Sequence, residues 1–184
     1  MAKKNRYRET EMNNEIFEIY TDDSGAFTVG SIETQNEEDI VIRGIDEEGK
    51  ESAYYVVPRK NVLEMVSDTP YLRKIRKYMA YGKDHPYGNW FSLPPLAVDP
   101  SKPLLTQVLH LAAKNGTLIT AGRSGEEELL CGYVQNIEKG RVLLDCVDPE
   151  SAEDLGQVKV RIRDLEFIEY ESITNRLLMY ANRN

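Results

Sequence analysis

One pattern of residues occurs twice in this chain, the second time about 102 positions after the first, and a fold must accommodate both occurrences. The first reads Phe27-Thr28-Val29-Gly30-Ser31-Ile32-Glu33, a polar loop, then Ile40-Val41-Ile42-Arg43-Gly44-Ile45-Asp46. The second reads Leu129-Leu130-Cys131-Gly132-Tyr133-Val134-Gln135, a loop of equal length, then Val142-Leu143-Leu144-Asp145-Cys146-Val147-Asp148. Gly30 answers Gly132, Ile32 answers Val134 and Asp46 answers Asp148 without a gap. Upstream, Ser24-Gly25 answers Ser124-Gly125. Downstream, with one residue inserted, Tyr54 to Val57 and Val62 to Met65 answer Val158 to Ile162 and Leu165 to Ile168.

Short runs rich in Val, Ile and Tyr, separated by turns such as Asp22-Asp23-Ser24-Gly25 and Glu47-Glu48-Gly49-Lys50, give each copy about five antiparallel strands. Five short twisted strands in so little chain close most readily into a small barrel, which removes exposed edges. Gly30 and Gly132, single glycines within strands, serve that closure rather than cradling a phosphate. The expected fold is therefore mainly β with short helices (α+β): two tandem small five-stranded barrels joined by a linker and a helix. The 184 residues suffice for two such cores.

The expected boundaries are an N-terminal tail over 1–14, a first barrel with a C-terminal helix over 15–82, a Pro- and aromatic-rich linker over 83–102, and a second barrel with flanking helices over 103–184. In the first helix Asp68 or Thr69 caps, Pro70 opens, Leu72, Ile75 and Met79 form the apolar stripe, and Gly82 lies just past the end. A middle helix opens with Ser101 and Pro103 and stops at Asn115-Gly116, its apolar face being Leu104, Leu105, Val108, Leu109 and Ala112. In the last helix the stripe reads Ile173, Leu177, Tyr180. The linker holds fixed contacts, because a free tether would not carry Trp90 and Phe91.

Composition removes several classes. A net charge of −8 and a pI near 4.9 argue against coating nucleic acid by charge alone, although local patches still bind. No apolar run approaches the roughly 20 residues a bilayer requires, and residues 1–9 lack the apolar stretch of a signal peptide, so the chain reads as cytoplasmic. Cys131 and Cys146, both in apolar runs, suit a reducing compartment, with a disulfide between them the lesser alternative.

A helix beginning Pro103-Leu104-Leu105, a strand after Gly116, a Ser-Gly turn, then Gly132-x-Val134-x-x-Ile137 and Val142-x-Leu144 resembles the Sm-like family of Hfq and LSm type. The resemblance covers 103–169 and, more weakly, 15–66. It implies a helix followed by a bent five-stranded barrel, assembly into rings through edge strands, and binding of single-stranded RNA. Where that family places a base-contacting Asn, this sequence has Asp39 and Arg141. Where it has Ile-Arg-Gly, this sequence has Ile162-Arg163-Asp164 and Val57-Pro58-Arg59. An SH3-like barrel fits the same hydrophobic spacing.

Catalytic chemistry is not written in the chain. Its two histidines, His85 and His110, stand in the linker and off the apolar face of a helix, and no nucleophile is framed for activation. The cysteines are too far apart in sequence for a zinc pair, and the acidic runs Glu37-Glu38-Asp39, Asp46-Glu47-Glu48 and Glu126-Glu127-Glu128 lack calcium-loop spacing. No metal or cofactor is expected. The competing functional region is the basic helix face of Arg73, Lys74, Arg76 and Lys77, followed by Lys83 and the rings of Tyr87, Trp90 and Phe91. Charges to hold phosphates beside rings to stack on bases is the combination used for single-stranded nucleic acid. The same residues also suit a solvated helix whose following aromatics pack between barrels. The expected partner is thus RNA or a protein, no membrane is involved, and edge strands offer a route to homo-oligomers.

Overall fold

A computed structural model describes residues 15–22, 24–85 and 92–183, which form ten antiparallel strands and three helices. In chain order these are β1 (Ile16–Tyr20), β2 (Thr28–Gln35), β3 (Asp39–Ile45), β4 (Glu51–Pro58), β5 (Glu64–Val66), α1 (Pro70–Asp84), α2 (Leu104–Asn115), β6 (Leu118–Arg123), β7 (Leu130–Glu138), β8 (Arg141–Val147), β9 (Asp154–Arg161), β10 (Leu165–Tyr170) and α3 (Ile173–Arg183). The strands form one continuous sheet in the order β5-β1-β2-β3-β4-β10-β6-β7-β8-β9. The order within the first five is repeated by the second five, and the halves meet where β4 pairs with β10, Val56 opposite Ile168 and Tyr54 opposite Tyr170.

Register repeats along with order. In β2 and β3, Gly30 faces Gly44 and Ile32 faces Ile42 before the register shifts, so that Thr34 faces Val41. In β7 and β8, Gly132 faces Cys146 and Val134 faces Leu144 before the same shift brings Asn136 opposite Leu143. Both glycines stand where the next strand's backbone presses close. A Cβ on Gly30 would lie 2.5 Å from the Arg43 carbonyl oxygen, and one on Gly132 2.7 Å from that of Asp145. Close approach, more than freedom to bend, requires glycine there.

The buried apolar side chains form four clusters of unequal size. Phe17, Ile19, Ile32, Ile40, Ile42 and Val57 form a cluster drawn from the first half. The largest cluster crosses the junction: Tyr54 and Val56, on the opposite face of β4 from Val57, pack with α2 and with strands of the second half. The five α2 residues expected to be apolar and inward are all buried. Of the linker, Trp90 and Phe91 lie outside the described residues, and contacts are made at Leu93 and Pro94. Leu93 is buried, its N–H donates to Glu51 Oε2 (2.8 Å), and the Tyr54 hydroxyl donates to the Pro94 carbonyl (2.8 Å).

The helices depart from expectation in three places. Thr69 caps α1 by accepting from the Leu72 N–H (3.1 Å), but the helix continues through Gly82 to Asp84. Ser101 does not cap α2, whose N-cap is Pro103, with no side-chain oxygen to offer. In α3 the stripe lies elsewhere: Leu177 is 59% and Tyr180 70% exposed, while Leu178 and Asn175 face inward. Asn175 is stabilised there because its Oδ1 accepts from the Thr120 hydroxyl (2.8 Å), a partner on β6 that helical spacing cannot reveal. Among the described residues no helix is long and apolar enough to cross a membrane.

Candidate functional site

The basic residues of α1 are not one free face. Arg73 pairs with Asp68 (2.8 Å), and Arg76 is half-buried, donating to the Ser67 carbonyl (2.8 Å), which makes it a brace for the chain entering the helix. Lys74 lies over the ring of Tyr71 at 4.3 Å and near that of Tyr78 at 5.6 Å. Lys77 and Lys83 are exposed, about 120° apart around the helix. Tyr87, Trp90 and Phe91 lie outside the described residues. Other rings are gathered at α1 instead: Phe27 meets Tyr71 edge-on at 5.3 Å, and His85 stacks on Tyr81 at 4.2 Å between centroids.

A second feature had no local signal in the sequence. Where the halves meet, a cavity of about 750 Å³ opens between matching parts of each: the β2–β3 turn with Glu37 to Asp39, the β7–β8 turn with Lys139 to Arg141, and the ends of β4 and β9. The start of α2 forms its floor through Pro103, Leu105 and Thr106. The walls differ in charge. The second half contributes Lys139, Arg141, Arg161 and Arg163, and the first contributes Glu37, Glu38 and Asp39 together with Lys60.

Asp39 has a structural task. It is buried, and its Oδ2 accepts from the Leu105 N–H (3.0 Å), so a carboxylate from one half caps the helix of the other. On the basic wall, Arg161 pairs with Asp164 at 2.5 Å and Lys139 with Glu138 at 3.1 Å. Arg141, the counterpart of Asp39, is exposed and meets no acceptor among the described residues, which leaves its five donors for a guest. Such a wall holds phosphate or carboxylate groups, and the opposing glutamates accept N–H donors.

Neither histidine lines the cavity, and among the described residues no three His, Cys, Asp or Glu side chains gather as metal ligands. Cys131 and Cys146 are free and buried in different clusters. Because Cys146 faces Gly132, the neighbour of Cys131, the two thiols point to opposite sides of the sheet, which excludes the disulfide. Burial pushes both thiols above their ordinary pKa. Burial also pushes the Tyr54 phenol up to about 12, so it stays a neutral donor at the junction. No family model, curated protein or solved structure matches the chain.

Proposed function

We propose that the chain is a non-catalytic binding protein built of two tandem Sm-like barrels, and that it holds single-stranded RNA in the cavity between its halves. The observation that carries this reading is the convergence of equivalent turns from both halves on one cavity, with Arg141 on its basic wall unengaged by any described residue. The repeated strand order supports the tandem, and the resemblance of Gly132-x-Val134 and its surroundings supports RNA as the guest. Phosphates lie along Lys139, Arg141 and Arg163, while Glu37 and Glu38 meet base amino groups. Two buried, unpaired thiols suit the reducing cytoplasm.

The test is a salt titration of the full chain against a fluorescein-labelled oligouridylate. Affinity falls steeply with salt, and Arg141→Ala lowers both the affinity and the salt slope, the slope by about 0.7 for each phosphate that the arginine neutralises. Absence of binding at low salt removes RNA from the account.

A protein-interaction or scaffold role is the second reading, and one observation favours it: among the described residues β5 and β9 are each paired on one side only, with Leu63 and Leu155 exposed at or beside them. Unpaired edges take an added strand. Sedimentation of the chain alone and with candidate partners separates this reading from the first.

A further inference from the structure

The outward face of α1 is a stripe of rings and cations. Tyr71, Lys74, Tyr78, Tyr81 and the capping His85 succeed one another at intervals of three and four, which places them on one side of the helix over about 21 Å. Tyr78 is 45% and Tyr81 52% exposed. The ladder continues past the helix start, through the Phe27 ring at 5.3 Å from Tyr71 and on to Tyr20 at 5.4 Å from Phe27. Leu72 and Ile75, on the far side, anchor the helix to Ile16 and Val29, and Tyr71 packs in part against the same cluster, whereas Tyr78 and Tyr81 are not part of it.

Two properties indicate what this face receives. No aliphatic side chain belongs to the stripe, whereas the exposed leucines of this protein, Leu63, Leu129, Leu155 and Leu177, lie on other elements. Within an acidic chain, α1 carries Arg73, Lys74, Arg76, Lys77 and Lys83 against the single acid Asp84. Arg73 and Lys77 flank the stripe on one side. On the other, the turn with Gly49 lies against Tyr78 and Met79 and brings Glu47 and Glu48 near. Arg73 being paired with Asp68, a polyanion laid along the rings has its phosphates directed to Lys74 and Lys77.

We propose that this face of α1 is a stacking platform for single-stranded nucleic acid, Tyr78 and Tyr81 receiving successive bases while Lys74 and Lys77 hold the phosphates. The platform is separate from the inter-half cavity but rests on the same reading of RNA as the guest. Stacking on a flat ring tolerates any base, so the platform adds affinity and lengthens the bound segment without adding sequence preference.

The experiment measures binding of a fluorescein-labelled oligouridylate by anisotropy with the full chain, the double variant Tyr78→Ala, Tyr81→Ala, the double variant Tyr78→Phe, Tyr81→Phe, and Arg141→Ala. The alanine pair weakens binding by about fivefold to a hundredfold for each base unstacked, and the phenylalanine pair, which keeps the rings, binds as the parent does. Equal affinity of parent and alanine pair overturns the platform, and if Arg141→Ala still weakens binding, the cavity reading stands alone. Equal loss in the alanine and phenylalanine pairs also overturns it, since the hydroxyls and not the rings would then matter. No binding by the parent overturns both. If the alanine pair keeps its RNA affinity yet loses a co-purifying protein, the face belongs to a protein partner and the proposal fails.

Discussion

The carboxylate of Asp39 reaches across the junction to cap α2, whose own N-cap, Pro103, has no oxygen to give. An N-terminal N–H left without an acceptor costs about 0.5–2 kcal/mol, and this one is buried, where water cannot substitute. Asp39→Ala should therefore lower the unfolding free energy by about 1–2 kcal/mol in denaturant titrations, and Asp39→Asn, which keeps an acceptor, should lower it less. Equal stability of the parent and the alanine variant would show that the cap contributes nothing. The role of Asp39 is not legible in the sequence around it. Its side chain is engaged by a helix some 66 positions away, a partnership that no local motif encodes.

At the scale of elements, the legible parts were those governed by a single period. All five apolar positions of α2 follow helical spacing and are buried. What failed was α3, where Ile173, Leu177 and Tyr180 keep helical spacing but Asn175 is buried through its bond from Thr120. The inter-half cavity was illegible for a related reason: it exists only because β4 pairs with β10, which brings together turns far apart in the chain. Tyr71, Tyr78 and Tyr81 do follow helical spacing, but only the packing of Leu72 and Ile75 shows that Tyr78 and Tyr81 face outward. Strand pairing also fixes which glycines are replaceable. Gly30→Ala and Gly132→Ala each force a methyl against a neighbouring carbonyl and should cost about 1–3 kcal/mol. Gly82→Ala, in a helix with nothing within 4 Å, should instead stabilise by about 0.5–1 kcal/mol. Denaturant unfolding of the three variants checks the contrast, and a neutral Gly132→Ala would contradict the close approach.

For the whole molecule, the junction leaves one edge of each kind unpaired, β5 matching β10 and β9 matching β4. α1 sits against β1 as α3 sits against β6, and α3 does not prevent β10 from pairing. A second molecule docking by the internal rule would therefore lay its β5 along β9, with Lys159 where the internal pairing has Val56 and Gln157 where it has Tyr54. Charged and polar side chains on an edge weaken such pairing. The double substitution Lys159→Val, Gln157→Tyr should thus make the sedimentation coefficient rise with concentration well beyond that of the parent chain. Coincident profiles would show that those two side chains do not restrain association.

Asp39 and Arg141 occupy the same place in the repeated pattern and carry opposite charge. In an assembly of identical subunits, a change at that place is imposed on every subunit at once. A peptide link between the units lifts this restriction, so one site can be committed to holding a helix while its twin is left to meet a guest.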